Sequence, residues 1–146
     1  MMGCEKEMAE EGMTVPPPFA LYDTDSVRYS LKSYSGQPVI VHFWADWCPR
    51  CREEFPKMQK AYLRIKDRPI EILAINSGQS AAHVREIKET FGLTFPLLVD
   101  EAAAISKLYK VSGLPTTFFI DSDGNIFKTH IGWLDEKQIV EIFGQI

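Results

Sequence analysis

Apolar positions in this chain gather in short dense runs separated by longer amphipathic stretches. The run VIVHFWA, Val39–Ala45, is almost unbroken. A strand without a polar face belongs at the centre of a sheet covered on both sides, as parallel sheets are. Ile70–Asn76 and Phe95–Val99 predict two more buried strands, and Thr116–Asp121 a fourth. Asp123-Gly124 then signals a hairpin, so Asn125–Ile131 should return antiparallel. Between these runs the period is helical. One helix should run from Cys48 to about Asp67, with Pro49 in its first turn and a kink at Pro56. Ser80 is placed to cap a helix reaching Phe91, with Val84, Ile87 and Phe91 on one side. Ala102–Tyr109 predicts a short helix carrying Ile105 and Leu108 inward. Asp135 should cap a last helix whose Ile139, Ile142 and Phe143 face the core. Upstream, Phe19–Tyr22 and Val27–Leu31 read as a strand pair turning through Asp23–Ser26. Strands alternating with helices imply an α/β fold, with a mostly parallel sheet made mixed by the terminal hairpin.

Length and charge narrow the function classes. At 146 residues the chain suits one domain with a real core. A net charge of −4 offers no basic footprint for a phosphate backbone, so no nucleic acid is expected as a partner. No run of 18 apolar residues is present to span a membrane. The opening MMGCEKEMAEEG is polar and acidic rather than a signal peptide. Residues 1–15 read as a flexible tail, and Pro16, Pro17 and Pro18 stiffen the entry to a domain over 16–146.

The chemistry concentrates in FWADWCPRCREEFP, Phe43–Pro56. Cys48 falls at a predicted helix N-terminus, where unpaired N–H groups and the helix dipole favour the thiolate, the reactive form of cysteine. Cys51 follows one turn later on the same side. That spacing lets the pair close a disulfide, and lets Cys51 resolve a mixed disulfide formed at Cys48. C-x-x-C is also half a zinc site, but no second close pair follows; Cys4, His42, His83 and His130 are scattered singly. No metal is therefore expected. A buried structural pair of thiols fits poorly with Arg50 between them.

FWADWCPRC, followed by GLPTTFFID at Gly113–Asp121, resembles the thioredoxin superfamily. The longer PPFALYDTDSVRYSLKSYSGQPVIVHFWADWCPRCREEFP, with FGLTFPLLVD and the DSDGNI hairpin, resembles its TlpA/ResA-type exported thiol-disulfide oxidoreductases. The likeness covers about Pro16 to Ile146. It implies a three-layer thioredoxin-like fold with an N-terminal strand pair and a strand-helix insertion, for which residues 70–93 have the right pattern. It implies Cys48 as nucleophile, Cys51 as resolving thiol, a cis Leu114–Pro115 bond facing them, and Trp47 packed beside and shielding them. It further implies protein disulfide or dithiol clients, of the cytochrome c maturation type, and a membrane-embedded or other dithiol donor. An exported, extracytoplasmic monomer without a cofactor is the expectation.

Departures from that pattern carry information. Proline precedes the second residue of the C-x-x-C here: Pro49 comes first and Arg50 second. A guanidinium held near Cys48 would favour its thiolate and make the disulfide more oxidising; one pointing into water would be screened. His42 stands where thioredoxins have a buried Asp and this group commonly Asn. It is a candidate to accept or relay the Cys51 proton, or else a buried neutral imidazole hydrogen-bonded to backbone. Glu53 and Glu54, in the first turns after Cys51, could complement the helix dipole, or read simply as charges on a solvated helix face. Cys4 behind Gly3 has the form of a lipid-anchor cysteine, though no apolar lead precedes it. The alternatives to a reductase are a thiol oxidase or isomerase, a peroxiredoxin-like peroxidase and a redox-inert binding module. The peroxidase reading lacks the threonine expected three residues before the nucleophile, where this chain has Ala45.

Overall fold

The computed structural model describes residues 13–143. Seven strands make one sheet: β1 Ala20–Asp23, β2 Arg28–Ser30, β3 Val39–Trp44, β4 Glu71–Ser77, β5 Leu97–Asp100, β6 Thr116–Ile120 and β7 Ile126–Ile131. Four α-helices accompany them: α1 Pro49–Ile65, α2 Ala81–Phe91, α3 Ala104–Leu108 and α4 Glu136–Phe143. The strand order is β2-β1-β5-β4-β3-β6-β7. β3, β4 and β5 run parallel, and antiparallel pairs flank them on both sides. Residues 70–93 hold β4 and α2, the strand and helix expected as the insertion.

β3 has every side chain buried, as its unbroken apolar run requires. Its pleat sends alternate residues to opposite layers. Ile40 and Trp44 pack with Phe55, Met58, Ala61 and Ile65 of α1, Val84 and Ile87 of α2, and Ile139 and Ile142 of α4. Val39, Val41 and Phe43 pack instead with Phe118, Ile120, Phe19 and Tyr109. His42, the polar member of the run, therefore faces the α1 layer.

The second layer is thin and aromatic. Tyr109 meets Phe43 at 5.3 Å and Phe118 at 5.1 Å between ring centres, in the tilted and edge-on arrangements aromatic rings prefer. Its hydroxyl donates to the Pro17 carbonyl at 2.7 Å, which fastens the entry prolines to the sheet. On the tail side of the expected boundary, Met13 packs on this layer and the Thr14 carbonyl accepts from Ile126 N–H at 2.7 Å.

One side chain departs from its expected side. Leu108 is 52% exposed, not inward. The helix is shorter than the sequence pattern, and Lys110 at φ 56° ends it abruptly. Ser106 and Tyr109, three apart, take the buried face instead. The expected inward placement of Phe143 falls on a side chain outside those described.

Candidate active site

Pro49 opens α1 at a position where its missing N–H costs nothing, and Cys48 becomes the N-cap residue. Cys48 Sγ accepts from Cys51 N–H at 3.3 Å, a capping bond made by sulfur in place of the usual side-chain oxygen. The same sulfur donates to the Leu114 carbonyl at 3.6 Å. Leu114–Pro115 is a cis peptide bond, so the loop before β6 meets the cysteines as expected. Both thiols are free; Cys48 is 4% exposed and Cys51 wholly enclosed. The pair thus sits at the C-terminal end of β3, where a strand hands over to a helix N-terminus.

The surrounding residues fall differently from the sequence expectation. Trp47 is 69% exposed and does not close over the thiols. The loop turns outward there because Asp46, just before it, is held from the other side. Its backbone N–H donates to Gln79 Oε1 at 2.8 Å. Its carboxylate reaches Arg52 of α1 at 2.5 Å and His83 of α2 at 2.6 Å. Arg52 also lies over the Phe91 ring, 5.5 Å from its centre. This brace ties the residues before Cys48 to the inserted helix, and gives His83 a structural partner that its isolated place in the sequence did not announce. Arg50 is exposed, and among the described residues it makes no ion pair.

Beneath the cysteines lies a polar cluster. His42 Nδ1 is 2.9 Å from Thr117 Oγ1, across the β3–β6 pair. His42 Nε2 stands 2.9 Å from Glu54 Oε1, with both side chains shut from solvent. The approach is close but not in line, so neither atom gains a well-formed hydrogen bond from it. At this distance, with both side chains buried, the contact is electrostatic rather than a hydrogen bond. Glu54 Oε2 accepts from Leu134 N–H at 2.6 Å. A cavity of about 10 Å³ lies against His42, Glu54, Met58 and Thr117.

Glu54 lies where the sequence expectation does not place it. It is fully buried, whereas Glu53 beside it is exposed. The signal was present: Glu54 lies on the apolar stripe of Cys51, Phe55, Met58, Ala61 and Ile65, at helical spacing. Its charge also acts on the redox pair. Burial first, then the hydrogen bond to Cys48 and, more weakly, the charges of Cys48 and Glu54, push the Cys51 thiol above its ordinary range, against an opposing bond to the Ala45 backbone.

That shift gives a pH dependence with a definite sign. Above the ordinary thiol pKa of about 8.5 the unfolded chain ionises Cys51 while the folded chain keeps the proton, so rising pH favours unfolding. Between about pH 8.5 and 9.5 the reduced protein should lose on the order of 1 kcal/mol of stability that a Cys51→Ala variant does not lose. Denaturant unfolding of both at a series of pH values measures it; parallel curves would show that burial does not hold the proton on Cys51.

Comparison with known proteins follows the same lines. The AhpC/TSA family model matches residues 13–129. The thiol-disulfide oxidoreductase ResA of Bacillus subtilis is 37% identical over 134 residues, covering 92% of this chain and 74% of that one. The crystal structure of StoA from Bacillus subtilis superposes with a TM-score of 0.76 at 30% identity, over 88% of this chain and 97% of that one. The pneumococcal exposed lipoprotein thioredoxin from Streptococcus pneumoniae gives a TM-score of 0.74 at 29% identity, over 89% and 100%. With a capped cysteine pair facing a cis-proline loop in the same fold, the chain belongs to the AhpC/TSA family and is a thiol-disulfide oxidoreductase of the ResA type.

Proposed function

We propose that the chain works as a reductase of protein disulfides outside the cytoplasm, on clients of the cytochrome c maturation type. One observation carries the mechanism: Cys48 Sγ sits at the α1 cap against the Leu114 carbonyl, with Cys51 enclosed behind it. As a thiolate, Cys48 attacks one sulfur of a client disulfide, forming a mixed disulfide and expelling one client thiolate. Cys51 gives up its proton and attacks Cys48 Sγ, releasing the second client thiol. The client gains two electrons and the chain is left with a Cys48–Cys51 disulfide. A donor dithiol, membrane-embedded in this reading, returns it to the reduced state. Gly113 and Leu114 would line an extended client segment. The likeness to an exposed lipoprotein supports export and a lipid-modified Cys4, which lies outside the described residues. Mass spectrometry of the natural mature protein tests that anchor, and an unmodified Cys4 ends it.

The buried cluster offers the proton route. Cys51 is the thiol that must lose a proton, and Glu54 lies one helical turn along the same stripe with His42 against it. His42 and Glu54 together take up that proton during resolution. Replacing His42 with Asn should change the pH profile of exchange; an unaltered profile means that His42 only fills space.

The direction of electron flow is tested by the reduction potential of the pair, from equilibration in a thiol redox buffer. A value near or below about −270 mV supports the reductase. A value between about −180 and −120 mV would make the chain an oxidase or isomerase. Arg50 bears on the same number. An exposed charge is worth little, so Arg50→Ala should move the potential by less than about 20 mV. A larger movement would place the guanidinium on Cys48 in solution.

A further inference from the structure

Helix α1 carries a charge distribution that the redox centre does not use. Residues 49–68 hold seven of the chain's 16 basic side chains and three of its 20 acidic ones. One of those three, Glu54, is buried. The segment is therefore net +4 by sequence, in a chain that is net −4. The basic residues are also ordered. Arg50, Lys57, Lys60 and Arg64 are spaced seven, three and four apart, which places them along one face of the helix. Arg68 extends the line past the helix end. At 1.5 Å per residue the line from Arg50 to Arg64 is about 21 Å long. Glu53 lies within it, and the exposed Asp67 stands beside its far end. Lys57 lies 3.8 Å over the Trp133 ring, and Arg50, Lys60 and Arg68 are exposed. Among the described residues no carboxylate stands within ion-pair distance of Arg50, Lys57, Lys60 or Arg68.

The adjoining face of α1 is spent on the core through Cys51, Phe55, Met58, Ala61 and Ile65. The basic face starts at Arg50, between the two cysteines. Any protein that exchanges a disulfide with Cys48 must rest over the N-terminus of α1, so its surface continues onto this line. We infer that the Arg50–Arg68 stripe is a docking surface for the acidic surface of a protein partner in disulfide exchange. The inference rests on the exchange activity given above. It adds the partner's chemistry: acidic residues around the cysteines that react. Complementary charge of this kind speeds encounter and disfavours basic partners, and its effect falls as salt screens it.

The test uses the reduced protein and three synthetic peptide disulfides, flanked by aspartates, by serines or by lysines. At low salt the aspartate peptide should be reduced on the order of tenfold faster than the lysine peptide. The gap should close in high salt. A Lys60→Glu/Arg68→Glu variant should lose most of the preference while reducing a small neutral disulfide as fast as the parent. Equal rates for the three peptides at low salt would overturn the inference. So would variant-sensitive sedimentation with phosphatidylglycerol vesicles together with equal peptide rates, which would give the stripe to an anionic lipid surface. Failure to reduce even the small neutral disulfide would instead remove the exchange activity itself.

Discussion

A Cys48→Ser variant should lose disulfide exchange altogether, whereas Cys51→Ser should still attack and then stall. The two thiols are close in sequence but unequal in place. Cys48 caps the helix, touches the Leu114 carbonyl and lies at the edge of the enclosed region. Cys51 has no solvent contact, and its surroundings disfavour its thiolate. Only Cys48 can meet an outside sulfur; only Cys51 is positioned to release the product from it. Rates of client reduction should therefore fall by about 10³ or more in either variant, as when one member of a catalytic unit is removed. The species that accumulate should differ. Cys51→Ser should give covalent adducts with client peptides, visible by mass under non-reducing conditions and lost on adding a dithiol. Adducts at Cys51 in the Cys48→Ser variant would reverse the assignment.

The second large effect concerns stability. Glu54→Ala should destabilise the protein by about 3 to 5 kcal/mol, as removing one partner from a buried polar cluster and leaving the others unpaired does. Leu134 N–H would lose its acceptor and His42 its carboxylate, both inside the core. Urea denaturation measures the change. A His42→Leu/Glu54→Leu double variant should recover much of the loss, because apolar side chains remove the desolvation cost along with the pair. A Glu54→Ala effect below about 1 kcal/mol would mean that water takes over the contacts of the carboxylate in solution. Recovery of stability in the double variant without normal exchange would separate the cluster's chemical role from its packing.

The placement of Glu54 shows where sequence reasoning reached and where it stopped. Patterns that depend on local chemistry were legible. Val39–Ala45 announced a strand buried on both faces, Ser80 capped its helix, and Asp123-Gly124 turned its hairpin. The cysteine pair and the Leu-Pro-Thr-Thr stretch are brought together as the resemblance implied, through contacts 66 residues apart. What failed needed knowledge of which helical face turns inward at one particular position. Glu54 reads as solvated because carboxylates rarely enter a core, yet its partners Leu134 and His42 come from distant segments. Leu108 fails for a similar reason: Ala103 and Lys110 adopt left-handed backbone that shortens the helix at both ends, and no residue type there demands it. The family resemblance implies Trp47 over the thiols, but Asp46 is anchored by Gln79 and His83, which the sequence does not connect to it.

That anchoring bears on how such enzymes can be diversified. The residues ahead of Cys48 are held by Gln79 and His83, which belong to the inserted segment, and by Arg52, which rests on its Phe91. The insertion is thus no passive decoration on a thioredoxin frame. It behaves as a fitted bracket, and a strand-helix cassette moved between relatives would carry part of the reactive loop's shape with it. Grafting cysteines alone onto another frame would transfer the reagents without their mounting.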